Sequence, residues 1–171
     1  MRKKHGKSEN NPCGKQECVI VYWPVLRLKT NKQTNKMKII NQAGNYTVGL
    51  GETVEVRGVG NDCVITVSGG IVRTYGKSAP VITQTGGGVW TYDSSAPAIT
   101  QSGGGVWTYH SSAPVIKQSG GSVRTYGSSA PVIKQSGGDV GTYDSSKPVI
   151  TQTGGDVLTH GKSTPVINRS V

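Results

Sequence analysis

Residues 103–119 read Gly-Gly-Gly-Val-Trp-Thr-Tyr-His-Ser-Ser-Ala-Pro-Val-Ile-Lys-Gln-Ser, and this 17-residue unit decides the fold. It is written six times in succession without insertion or deletion, beginning at Gly69, Gly86, Gly103, Gly120, Gly137 and Gly154. A fixed period of this length is typical of a repeat architecture, in which each unit packs against its neighbours in the stack. The chain is therefore best interpreted unit by unit.

Each unit contains two strand-like runs separated by turn residues. The first run is centred on Val-x-Thr-Tyr and the second on Pro-Val-Ile-x-Gln, with Ser-Ser-Ala and Gly pairs between them. Helices are excluded because glycine pairs and a proline recur in every unit. A propeller blade needs about 40 residues and four strands, so the period excludes that fold as well. We predict an all-β, single-stack β-solenoid whose two-strand rungs are spaced by about 4.7–4.9 Å.

The sequence before the repeats divides into three parts. Residues 1–36 lack strand or helix periodicity and are predicted to be a flexible basic leader. Residues 37–50 are predicted to form an N-terminal β cap, and residues 51–68 a degenerate first rung of 18 residues, with the extra residue in 58–62. The six regular rungs then occupy residues 69–171. Translation starting at Met1 and translation starting at Met37 are both compatible with the sequence.

The net charge of +10 belongs mainly to the leader. Residues 1–38 hold ten Lys or Arg against Glu9 and Glu17, a net of +8, which leaves +2 for the rest. Such a leader suggests nucleic acid or an anionic surface only weakly, since a solvated tail is the simpler explanation. Cys13, Cys18 and Cys63 are interpreted as free thiols. We find neither a signal peptide nor an apolar run of membrane-spanning length, and expect synthesis in the cytoplasm.

Comparison among the units predicts which side chains face inward. The fourth position is always Val, the sixth always Thr and the fourteenth always Ile, whereas the fifth accepts Arg73, Trp90 and Gly141. A position that tolerates such different residues must face solvent, so the alternating Val, Thr and Ile ladders must face the core. Gln84 and its equivalents at the sixteenth position are predicted to lie near the inner edge, as an amide ladder.

The repeats resemble a known structural family. Val-Arg-Thr-Tyr-Gly-Ser-Ser (123–129) and Val-Gly-Thr-Tyr-Asp-Ser-Ser (140–146) are similar to the repeats of short-rung β-solenoid proteins of bacteria and bacteriophages. The resemblance covers residues 51–171 and implies the fold, with no catalytic residues. It also makes a phage particle or a bacterial surface assembly a reasonable setting for the chain.

The motifs of catalysis and metal binding are missing from the repeats. His110 and His160 are turn residues without a matched acid, and Asp139, Asp144 and Asp156 are interpreted as a solvated acidic edge. Neither the calcium-binding nonapeptide nor a phosphate-binding glycine loop fits the spacing. We therefore predict a protein that is not an enzyme and that needs no metal or cofactor.

Two outer faces are candidates for binding. The first strand of the unit presents aromatic and basic side chains on neighbouring rungs, which could stack on sugars or merely reinforce the sheet: Arg73, Tyr75, Trp90, Tyr92, Trp107, Tyr109, Arg124 and Tyr126. The second strand presents a flat Thr-x-Thr array, which is typical of ice-binding solenoids although Lys117 and Lys134 interrupt it: Thr83, Thr85, Thr100, Ser102, Thr151 and Thr153.

The function predicted from these patterns is structural. The chain is expected to be an interaction module that forms a homo-oligomer, or joins a larger protein assembly such as a virion, through an open end. Carbohydrate binding or cleavage through the aromatic face is the alternative, and ice binding through the threonine face is the third.

Overall fold

The computed structural model describes residues 37–170, which form a β-solenoid without a helix. Sixteen strands make two eight-stranded parallel sheets, so that each rung contributes one strand to each sheet. The predicted all-β fold with two-strand rungs is confirmed. The predictions for residues 1–36, including those for Cys13 and Cys18, lie outside the described residues.

Odd-numbered strands form sheet A and even-numbered strands form sheet B. Sheet A consists, in order, of β1 Lys38–Ile40, β3 Thr53–Arg57, β5 Ile71–Tyr75, β7 Gly88–Thr91, β9 Gly105–Thr108, β11 Ser122–Thr125, β13 Asp139–Thr142 and β15 Asp156–Thr159. Sheet B consists of β2 Gly44–Val48, β4 Cys63–Val67, β6 Val81–Gln84, β8 Ala98–Gln101, β10 Val115–Gln118, β12 Val132–Gln135, β14 Val149–Gln152 and β16 Val166–Arg169.

The strand register follows the sequence period. Val54 pairs with Val72, 18 residues later, whereas Val64 pairs with Val81, 17 residues later. The extra residue therefore lies between β3 and β4, in the segment 58–62. The segment 37–50, expected to be a cap, contributes β1 and β2, which pair in parallel with β3 and β4. The described residues thus contain eight rungs.

The predicted inward ladders form the core. The fourth-position valines from Val72 to Val140 and the fourteenth-position isoleucines from Ile82 to Ile150 are at most 2% exposed. The sixth-position threonines from Thr74 to Thr142 are also completely buried. Alternation of side chains along each strand explains this pattern, because residues two apart point to the same face.

A serine ladder that the sequence analysis did not identify runs beside the threonines. The tenth position is always Ser, and from Ser78 to Ser146 it is fully buried although it lies in a turn. The hydroxyl of Thr74 donates to that of Ser95 on the next rung at 3.0 Å, and Thr108 donates to Ser129 in the same way. The invariance of this serine was the signal, since a buried hydroxyl needs a partner at a fixed distance.

The glutamines are inside, but they are not bonded to one another. The amide nitrogen of Gln118 donates to the backbone carbonyls of Gly121 and Asp139, at 3.0 and 3.1 Å, so that it links two successive rungs. Four amide oxygens are buried without a hydrogen-bond partner: those of Gln84, Gln101, Gln118 and Gln135. The expected amide ladder is therefore a set of side-chain-to-backbone bonds, because each of these four amide nitrogens donates to one carbonyl in its own turn and one at the start of a sheet A strand.

The turn that follows each sheet A strand explains why the eighth position of the regular units is only Gly, Asp or His. Its backbone is left-handed in every regular unit, whether the residue is glycine, as in Gly76 (φ 64°), or not, as in Asp93 (57°) and His110 (56°). Glycine adopts this conformation without strain, and Asp and His are among the few other residues that tolerate it.

Candidate binding faces

The outer face of sheet A carries a continuous stack of six aromatic rings. Neighbouring ring centroids are 4.8–5.1 Å apart and the ring planes are within 11° of parallel. The stack consists of Tyr75, Tyr92, Tyr109, Tyr126, Tyr143 and His160. The ring faces are directed at the neighbouring rungs, because each ring occupies the same position of the repeat, one rung away from the next.

The two tryptophans stack in a second column of the same face. Trp90 and Trp107 have centroids 4.7 Å apart and planes 10° from parallel. Each indole leans over a glycine two residues earlier, since a Cβ added to Gly88 would lie 2.5 Å from the Trp90 ring, and Gly105 is covered by Trp107 in the same way. Tryptophan is therefore accommodated only in the rungs whose third position has no side chain.

The arginines extend these aromatic columns. The Arg73 guanidinium lies 6.0 Å from the centroid of the Trp90 ring, and that of Arg57 lies 4.8 Å from the Tyr75 ring. Arg57 also pairs with Glu55 at 2.9 Å. Arg124 is exposed. The structure thus places all eight predicted residues of this face on one surface, where the rings contact each other and the inner rings present mainly their edges to solvent.

The outer face of sheet B carries three columns of side chains. The thirteenth position forms an apolar column that includes Val115 and Val132, which are 47% and 41% exposed. At the fifteenth position four threonines follow in register, an array longer than predicted because it begins on the irregular rungs: Thr47, Thr66, Thr83 and Thr100. The sequence analysis missed the first two, since they precede the regular repeats.

The seventeenth position forms the third column, and its hydroxyls are used internally. Those of Thr85, Ser102 and Thr153 donate to backbone carbonyls of the preceding rung, at 3.5, 3.4 and 3.3 Å. The predicted Thr-x-Thr array therefore offers solvent only one column of donors from its fifteenth position. Lys117 and Lys134 interrupt that column.

The histidines and acids of the repeats take part in local contacts. His110 Nδ1 lies 3.7 Å from an Asp93 carboxylate oxygen, and both side chains are exposed. The Asp144 carboxylate accepts a hydrogen bond from the Gly127 backbone N–H at 3.1 Å.

Burial and, secondarily, Asp62 raise the pKa of the Cys63 thiol. Among residues 37–170, groups of three or more potential metal-ligating side chains are absent.

Comparison with protein-family models, curated proteins and solved structures finds no match for this chain. Within the described part of the chain, a helix long and apolar enough to cross a membrane is not found. The geometry of the two faces and of the strand edges is therefore the basis for assigning a function.

The tyrosine stack makes stability depend on pH in alkaline solution. Burial is the main reason why the pKa of Tyr92, of Tyr109 and of Tyr126 is raised, and a neighbouring tyrosine raises each further. A raised pKa in the folded state means that the folded protein holds these protons more tightly than the unfolded chain. Stability is then fully present below the unfolded tyrosine pKa of about 10 and is lost as pH rises through the folded values.

We expect the melting temperature to fall above about pH 10, and the ultraviolet absorbance of tyrosinate to appear at higher pH in the folded protein than in denaturant. Tyr109→Phe, which keeps the ring stack but removes one ionisable group, should make the decline shallower. An identical decline in this variant would contradict the role of the central tyrosines.

Proposed function

We propose that this chain is a non-enzymatic structural β-solenoid that associates with other copies of itself through the edge formed by β15 and β16. The polar groups of its interior support a structural role, because they bond to adjacent rungs. Thr125 donates to Ser146 on the next rung, and Gln135 links its own turn to Asp156. The aromatic side chains are likewise arranged in inter-rung stacks.

The observation that carries the proposal is the exposure of core positions at the β15–β16 edge. Val157 and Ile167 are only partly buried, although their equivalents on earlier rungs are at most 2% exposed. Leu158 and Val166, beside them on the outer faces, are 61% and 56% exposed. Apolar side chains next to strands that are paired on one side favour the addition of further β-structure.

The backbone of this edge is equally suited to strand addition. The N–H groups of Val166 and Ser170 donate to the backbone carbonyls of Pro148 and Gln152, on the rung of β14. Because successive N–H groups along a strand point in opposite directions, those of Ile167 and Arg169 face away from β14. In sheet A the same alternation leaves the N–H group of Thr159 at the outer edge, since His160 donates to Thr142.

A second copy of the chain is the occupant that fits this edge best. The edge needs a pair of strands at the separation of the two sheets, with inward Val, Thr and Ile side chains that continue the ladders. The chain's own rungs have this form. Their resemblance to repeats of bacterial and phage proteins suggests a phage particle or a bacterial surface structure as the assembly in which such stacking occurs.

Proline at the edge should prevent this association. In Thr159→Pro/Arg169→Pro one outward N–H group is lost from each of the two strands, and the proline rings obstruct an incoming strand. The matched control Thr159→Ala/Arg169→Ala keeps both N–H groups. Sedimentation velocity over a range of concentrations should show oligomers for the wild type and the alanine control, with at least about tenfold weaker association for the proline variant. A wild type that stays monomeric at all concentrations, or equal association of the two variants, would refute the proposal.

The two alternative functions have weaker physical support. Stacking on a sugar requires an accessible ring face, and the rings of Trp90 and Trp107 cover each other's facing surfaces. Ice binding requires ranks of hydroxyls that are free to bond water, whereas the seventeenth-position hydroxyls donate to backbone carbonyls and two lysines interrupt the fifteenth-position column. Neither argument applies to the β15–β16 edge, which is why self-association is the preferred proposal.

A further inference from the structure

The interruption of the threonine column on sheet B has a defined geometry. At the fifteenth position Thr100 pairs with Lys117, Lys117 with Lys134, and Lys134 with Thr151, each directly in register on neighbouring strands. Two lysine side chains therefore lie side by side in this column, with a threonine on either side. All four side chains line a shallow depression of about 410 Å³.

The positive charge of this depression is not balanced on its own face. The outward positions of β4, β6, β8, β10, β12, β14 and β16 include no Asp or Glu. The ion pairs among residues 37–170 involve Arg57 with Glu55 and His110 with Asp93, and Arg57 and Glu55 belong to sheet A. Like charges directly opposite each other on adjacent strands are destabilising, so Lys117 and Lys134 repel one another in this structure.

Among the side chains that line the depression, four have hydrogen-bond donors available to a ligand: Thr100, Lys117, Lys134 and Thr151. Ser119 and Ser136, which also line the depression, donate their hydroxyl protons to the backbone carbonyls of Gln101 and Gln118 at 3.3 and 3.2 Å. The hydroxyls of Thr100 and Thr151 lie at the two ends of the column, beside the lysines. Two ammonium groups flanked by two hydroxyls offer several donors to one multivalent acceptor.

We propose that this column, Thr100, Lys117, Lys134 and Thr151, is a binding site for a tetrahedral oxyanion, a phosphate or sulfate group. Such an anion has several acceptor oxygens and enough charge to neutralise both lysines, so that binding turns their mutual repulsion into attraction. Lysine binds phosphate as a point charge on a flexible stem, and does not need the planar geometry that arginine imposes. The group can belong to a free ion or to an anionic polymer lying across the sheet.

The test compares charge-matched variants of the full chain. Lys117→Thr/Lys134→Thr replaces both lysines by the residue that other rungs carry at this position. The control Lys77→Ser/Lys162→Ser replaces two exposed turn lysines by the serine that other rungs carry at this position. Both double variants therefore keep the basic leader and have the same net charge. Each protein is titrated at constant ionic strength with inorganic phosphate, inorganic sulfate, dextran sulfate and uncharged dextran.

The wild type and the control should show saturable amide shifts in ¹⁵N spectra at residues 100, 117, 134 and 151. The dissociation constant for the free ions should be on the order of 1 mM, and the Lys117→Thr/Lys134→Thr variant should bind at least about tenfold more weakly. Saturation by dextran sulfate alone would identify a polymer-borne group as the ligand, and saturation by the free ions would identify the ion itself. Equal shifts in both double variants, or no saturable shift with any of the anions, would overturn the proposal.

Discussion

Gly104→Ala should lower the free energy of unfolding by about 3 kcal/mol or more, since it combines a left-handed backbone with a backbone clash. Gly104 has φ +77°, and a Cβ added there would lie 2.5 Å from the Gly87 carbonyl oxygen. That oxygen accepts the inter-rung hydrogen bond of the Gly105 N–H at 3.0 Å. The methyl group must therefore separate two rungs at the point where they are bonded. Urea unfolding followed by circular dichroism measures the loss.

Gly76→Ala is the matched control for this prediction. Gly76 is also left-handed, with φ +64°, but a Cβ added there would have nothing within 4 Å. The conformational cost alone is about 1 kcal/mol, so the difference between the two variants isolates the clash. Equal losses of stability would mean that the rungs separate freely at the glycine turn, contrary to the close approach seen in the structure.

Gln118→Glu is the second substitution with a large expected effect, about 3–5 kcal/mol at neutral pH. The carboxylate is nearly isosteric with the amide, but it cannot donate to the carbonyls of Gly121 and Asp139. An anion would instead face these two carbonyl oxygens at a site that is 2% exposed. A buried carboxylate without a donor is destabilising because its desolvation is not compensated by hydrogen bonds.

The effect of Gln118→Glu should depend on pH. Burial and the neighbouring carbonyls raise the pKa of the introduced carboxyl in the folded state above the value of about 4.3 in the unfolded chain. The protonated form is therefore favoured by folding, and the variant should lose stability as pH rises above about 4.3 until the folded pKa is passed. Thermal melts from pH 3 to pH 8, with the wild type subtracted, measure this slope.

Gln152→Glu provides the comparison at the edge of the same ladder. Gln152 is only partly buried, and its side-chain oxygen accepts a hydrogen bond from Arg169 Nε at 3.1 Å. A carboxylate at this position gains a charged partner and remains hydrated, so the change in stability should stay within about 1 kcal/mol. A loss as large as that of Gln118→Glu would show that burial is not the cause of the effect.

The fold was readable from the sequence because the repeats test each position several times. The variation among Arg73, Trp90 and Gly141 showed that the fifth position of the repeat faces outward. The constant valine before it and the constant threonine after it are two residues apart, which identified both as inward positions. The strand alternation that converts these observations into a core is a local property of the backbone. For the same reason the extra residue in 58–62 could be located before the register was known.

The candidate sites were only partly predictable. The sequence located the aromatic column and the threonine column, but ring orientation depends on the rungs above and below. The Trp90 indole leans over Gly88 because that residue has no side chain, and a pattern of single positions does not express that pairing. The longer threonine array was missed because Thr47 and Thr66 belong to rungs with a different spacing.

By itself, the amino-acid sequence determined the period, the two-strand rung and the side chains that face inward, since all three follow from local alternation repeated along the chain. The tertiary structure alone decided what the polar groups do. Whether Ser102 offers its hydroxyl to solvent or to the Gln84 carbonyl, and whether Lys117 has a compensating acid, depends on atoms one rung away. Those distances are fixed only when the rungs stack in register.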